Sequence, residues 1–212
     1  GMAGMVVVDG KDGVPVSSFH CFNTRTPSVD GVVKTITSNT EKGLTAKKEI
    51  AVLVEKINES KGEEAGKLGV DLLKKSGNFS GFYASAVQKA VAADAENKSG
   101  IVSWSKANDL RALAFSGSKD TDKFLKAADE ILATKNCDKE CAKLANAAKG
   151  FTYMRLKDKD KAIDSFKKAK GLKSFFGMKV DIDAYINQLT NGGCKSCEGC
   201  KGCKKGCDGP KS

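Results

Sequence analysis

Between Pro27 and Pro210 the chain contains no proline, so across most of its length nothing in the backbone chemistry forbids a helix. Apolar residues fill that interval with helical spacing. Ile50, Leu53, Val54 and Ile57 mark one stripe, and Ala65, Leu68, Leu72 and Leu73 the next. Phe82, Tyr83, Ala86, Val87, Ala90 and Val91 make a third, followed by Trp104, Ala107, Leu110, Leu113 and Ala114. Phe124, Ala128, Ile131 and Leu132, then Leu144, Ala148 and Phe151, then Ala162, Ile163, Phe166 and Ala169 continue the series, which Ile182, Tyr185, Ile186 and Leu189 close. Spacings of three and four residues put each set on one buried face of a helix. The breaks at Lys61-Gly62, Gly77-Asn78, Gly117-Ser118, Asn136, Asp158 and Gly177 are short, which folds consecutive helices back as antiparallel neighbours. A mainly α fold of antiparallel helix pairs follows.

The first 42 residues read differently. Val6 to Val8 run into Asp9-Gly10-Lys11-Asp12-Gly13, and Val14-Pro15-Val16 comes after. An Asp-Gly turn between β-branched residues predicts a hairpin. Alternation through Phe19 to Phe22, and again from Val32 to Thr37, extends the strand character. Strands this few need the helices to pack against. The expected organisation is a short β segment over 1–42, a helical domain over 43–191 and a separate tail over 192–212.

Within the helical region, Gly150, Tyr153, Ala162, Phe166 and Ala169 hold the mutual spacings of a tetratricopeptide repeat, which the stretch 148–169 resembles. Small residues there let two helices approach, and the aromatics fill the remaining space. Ala112, Phe115, Phe124, Ala128 and Ile131 repeat the offsets 38 residues earlier, and Lys89 to Asn97 is similar to the usual repeat ending. The resemblance implies three units, at 62–97, 101–136 and 138–174, stacked as a short right-handed solenoid behind the small N-terminal β-hairpin segment. It further implies a peptide or protein partner held on the concave surface of the first helices. Lys106, Asp109 and Leu113 of the middle unit and Ala147, Phe151 and Met154 of the last are the expected lining residues. No unit carries the proline that often ends the second helix, and the Lys and Asn set of a carboxylate clamp is absent.

The formal net charge is +10, yet arginine occurs only at Arg25, Arg111 and Arg155. Nucleic-acid readers concentrate arginine, whose planar fork engages phosphates and guanine edges, so lysine spread along helices reads as a solvated face. A specific nucleic-acid partner is not expected. Apolar content of 40% and charged content of 29% are those of a soluble globular protein. No apolar run reaches the roughly 20 residues a membrane span needs. Gly1 before Met2 reads as a cloning remnant, and the lack of a leader-like segment points to the cytoplasm.

The tail is the other outstanding feature. Cys194, Cys197, Cys200, Cys203 and Cys207 fall within 14 residues, separated by Lys, Ser, Glu and Gly. The last four resemble the ligating run of bacterial-type ferredoxins, which implies an iron–sulfur cluster; zinc or copper suits the same thiolates. Asp208 stands where that run normally has proline, and no second four-cysteine run accompanies it. Mixed disulfides and an unliganded tail are the alternatives. Cys137 and Cys141 read as structural thiols on one helix face.

Catalysis finds little support. The chain has one histidine, His20, and no serine in a G-x-S-x-G setting. Asp158, Asp160 and Asp164 lack the glycine and terminal glutamate of a calcium loop and read as a helix start, where carboxylates meet the positive end of the dipole. The sequence therefore points to a non-enzymatic scaffold or adaptor whose tail binds metal or docks a partner. A small redox or metal-delivery protein working through the tail is the alternative.

Overall fold

The computed structural model describes residues 2–22 and 28–191. It opens with an antiparallel pair, β1 (Met2–Val8) and β2 (Pro15–Phe22), joined through the expected Asp-Gly turn. This hairpin is clamped to the first helix, α1 (Val29–Glu59), from both sides of the turn. Lys47 reaches Asp9 at 2.7 Å and Asp12 at 2.6 Å, and these contacts hold both carboxyls below their ordinary values. Gly43 touches the strand directly: a Cβ there would overlap the Val16 carbonyl, so only glycine allows the close approach.

Residues 32–37, expected as strand, lie inside α1. The Ser28 hydroxyl accepts from the Gly31 amide at 3.2 Å, and Asp30 sits in the first turn, where a carboxylate favours the helix dipole. That start signal outweighs the weak strand preference of Val32, Val33 and Ile36. The boundary placed at residue 42 consequently falls within a continuous helix.

The remaining elements are α2 (Gly62–Ser76), a 3-10 segment (Gly77–Tyr83), α3 (Ala84–Ala93), α4 (Ile101–Phe115), α5 (Thr121–Leu132), α6 (Lys139–Arg155), α7 (Lys159–Lys168) and α8 (Ile182–Thr190). Each of the pairs α2–α3, α4–α5 and α6–α7 falls within one of the three units read from sequence, and each pair is in contact. The first helices also touch in turn, α2 with α4 and α4 with α6. Phe82, assigned to an apolar stripe, lies in the 3-10 segment and is exposed.

Three apolar clusters form the core. The first joins α1, α2, α3 and the start of α4 around Leu72 and Ile101. The second joins α4, α5 and α6 around Leu110, Ile131 and Cys141, and the third joins α6, α7 and α8 around Phe166. Glycines permit the closest crossings. A Cβ on Gly150 would lie 2.6 Å from the Phe166 ring, and one on Gly69 would lie 2.5 Å from the Ala90 methyl.

The loops between pairs are tied to one another. Asn97 and Asn136 both adopt left-handed backbone, with φ of 52° and 54°, as asparagine tolerates better than most residues. Asn97 donates to the Lys135 carbonyl at 2.6 Å, and Asn136 donates to the Glu96 carbonyl at 3.1 Å. Asp94 is buried but accepts from the Ser99 amide and hydroxyl, at 2.8 and 2.6 Å, and these bonds hold its carboxyl low against the opposing pull of burial. Asp158 caps α7, its carboxylate accepting from the Lys161 amide at 3.2 Å, as the acidic run there implied.

One element went unread in the sequence. Ser174–Phe175 (β3) and Met178–Lys179 (β4) form a minimal hairpin between α7 and α8. Phe176 and Gly177 form its two-residue turn with φ of 50° and 88°. Such turns ordinarily take Asn-Gly, because both central residues need positive φ. A phenylalanine there costs on the order of 1–2 kcal/mol of backbone strain. Phe175 and Phe176 offset this by packing against the second and third clusters.

Candidate binding groove

A cleft of about 400 Å³ runs across the three first helices beneath the β3–β4 hairpin. One wall comes from Leu73 and Lys74 at the end of α2 and Gly77 at the start of the 3-10 segment. The floor is a single face of α4, where Trp104, Asn108 and Arg111 recur at helical spacing. Glu140 and Leu144 of α6 form the far wall, and Leu172 and Phe176 form the roof.

The side chains on that floor are held in place by their neighbours. The Lys74 ammonium lies 4.6 Å from the centre of the Trp104 ring, a cation–π distance. Asn108 accepts from the Ser80 hydroxyl at 2.9 Å, which ties the floor to the 3-10 segment. The Arg111 guanidinium lies 5.9 Å from the Phe115 ring, and burial pushes its pKa below the ordinary value without threatening its charge. Trp104 Nε1 is buried and has no hydrogen-bond partner among the described residues. Opposite, Glu140 pairs with Lys143 at 2.9 Å on the surface. Lys74 and Arg111 against Glu140 give the cleft a positive balance of charge.

The residues expected to line the groove are only partly gathered. Lys106 lies outside the cleft, donating to the Glu130 carbonyl of α5 at 3.1 Å and to the Thr134 hydroxyl just beyond α5 at 3.3 Å. Asp109 is exposed outside the cleft, and Leu113 packs on the second cluster. Ala147 is fully buried in the third cluster, so it is a packing residue and presents nothing to a ligand. Phe151 and Met154 do line a cavity, but a separate one on the other side of the hairpin. Periodicity marks the buried stripe of α4 well and the stripes that flank it poorly. The usable signals were compositional: Trp104 is the only tryptophan and Arg111 one of three arginines.

The five tail cysteines, Cys194, Cys197, Cys200, Cys203 and Cys207, lie outside the described residues. Among the described residues no three histidine, cysteine or acidic side chains gather in a way that could hold a metal ion. Cys141 is fully buried on α6, and burial, first among the causes, pushes its thiol pKa far up. Cys137 is half-buried just before the helix, and burial again raises its pKa. At both positions burial disfavours the thiolate, the reactive form. Among the described residues no helix is long and apolar enough to cross a membrane.

Comparison with family models, with curated proteins and with solved structures finds no match to this chain. The functional reading therefore rests on the geometry of the cleft and on the pattern of the tail.

Proposed function

We propose that this protein is a non-enzymatic binding scaffold in which α2–α3, α4–α5 and α6–α7 act as three stacked tetratricopeptide-like units in a short right-handed solenoid. Its first helices hold a segment of a protein partner in the cleft over α4. The observation that carries the reading is the floor of that cleft, where Trp104 and Arg111 share one helix face beside Lys74. Tryptophan and arginine dominate the energetics of protein interfaces, because each combines a large contact surface with directional donors. The positive balance of the cleft favours a partner segment carrying acid.

A displayed peptide library tests this. Selected peptides should be enriched in Asp or Glu, and they should change the emission of Trp104, the only tryptophan. Arg111→Ala should weaken their binding about tenfold or more, in line with a central interface arginine. Peptides that bind the variant and the parent protein alike would overturn the assignment.

The tail extends the same proposal. Cys194, Cys197, Cys200, Cys203 and Cys207 are read as soft-metal thiolate ligands that let the scaffold bind metal or dock a second partner, with zinc, copper or an iron–sulfur cluster as candidate occupants. The cysteine spacing favours a second reading, a small redox or metal-delivery protein whose working part is the tail. Elemental analysis of protein purified without oxygen should find about one metal centre per chain, lost when the five cysteines become serine. Iron with sulfide would favour the redox reading and zinc the docking one, whereas free thiols with no metal would remove both.

A further inference from the structure

The β3–β4 hairpin separates the cleft from a second, open cavity of about 530 Å³, lined by α4, α5, α6, α8 and the hairpin itself. This volume lies in the usual range for small-molecule sites. Its walls are aromatic. Phe151 meets Tyr185 edge-on at 5.1 Å and lies tilted against Phe175 at 5.2 Å, and Phe124 lines the α5 side. Aromatic side chains bring large apolar contact area to such a cavity.

Only one charged residue lines the cavity. Arg155, exposed at the end of α6, holds its guanidinium 5.7 Å from the Phe124 ring. No carboxylate among the described residues forms an ion pair with it. An aromatic lining alone would attract cations, but a guanidinium at its edge repels them and selects the opposite sign. Its planar fork matches a carboxylate bidentately.

We propose that this cavity is a binding site for small apolar carboxylates, with the hydrocarbon body among Phe124, Phe151, Phe175 and Tyr185 and the carboxylate on Arg155. The site is independent of the partner cleft, and its ligand needs no peptide.

Titration of the full chain with 1-naphthoate, followed by methionine-methyl and indole NMR, tests the proposal. Saturable binding is expected with Kd on the order of 0.1–1 mM, the range a ligand of this size reaches. Met154 and Met178 line the cavity, so their methyl signals should shift while the Trp104 indole signal stays in place. Arg155→Gln and the uncharged analogue 1-naphthalenemethanol should each weaken binding about tenfold, as loss of a charge-assisted bond does. Arg155→Lys should restore part of the affinity. Absence of saturable binding would overturn the proposal. So would unchanged affinity in Arg155→Gln, or shifts at Trp104 without shifts at the two methionines. Failure of the peptide selection would leave these results untouched.

Discussion

Replacing Phe166 with alanine is expected to lower unfolding stability by about 3–5 kcal/mol, the usual cost of deleting a fully buried aromatic ring. No part of Phe166 is exposed, and it is the largest fully buried side chain among the described residues. It contacts Phe151 edge-on at 5.1 Å and stacks on Tyr185 at 5.5 Å, so the substitution also removes two ring pairs that each contribute about 0.5–1.5 kcal/mol beyond burial. The void could not close easily, because its walls belong to three helices and Gly150 has no side chain to move into it. Urea denaturation followed by circular dichroism measures the loss. A change under about 1 kcal/mol would mean that α6, α7 and α8 are not packed around this ring.

The opposite substitution should also be costly. Gly150→Val is expected to destabilise by about 2–3 kcal/mol through overpacking. A Cβ at that position would stand 2.6 Å from two atoms of the Phe166 ring and 2.9 Å from a third. The ring has no room to retreat, since Phe151 and Tyr185 bound it. Removing glycine from a helix interior ordinarily gains up to about 1 kcal/mol, which is too little to offset the clash. Thermal unfolding should show a lower Tm for the variant; a Tm at or above that of the parent would show that α6 and α7 do not approach as closely as described.

These two substitutions also mark where the sequence was most informative. Gly150, Tyr153, Ala162, Phe166 and Ala169 were legible as a paired-helix interface, because small and aromatic residues at fixed spacing have few other physical uses. Helix ends were legible where a capping residue announced them, as at Asp158, and the N-terminal hairpin was legible from its Asp-Gly turn. The start of α1 was not, because Val32 to Thr37 looks like a strand and the decisive Ser28 cap is a single residue. The β3–β4 hairpin was hidden for a different reason. Its turn carries Phe176 where Asn would be expected, and it is held by tertiary packing against local preference. The residues expected to line a groove and those that line the cleft differ. The cleft is lined on α4 by Trp104, Asn108 and Arg111, whereas the sequence had singled out Lys106, Asp109 and Leu113. Periodicity finds the stripe that packs; it does not say which neighbouring stripe a later hairpin will roof over.

The partner cleft is tested most directly by photocrosslinking a selected peptide to the full chain. Benzoylphenylalanine in place of Glu140 stands on the far wall of the cleft, whereas the same residue in place of Asp122 stands on the exposed first turn of α5. Strong crosslinking from position 140 and little from 122, abolished by excess unlabelled peptide, is the expected result. Equal crosslinking from both positions, or capture from 122 alone, would contradict a partner seated over α4.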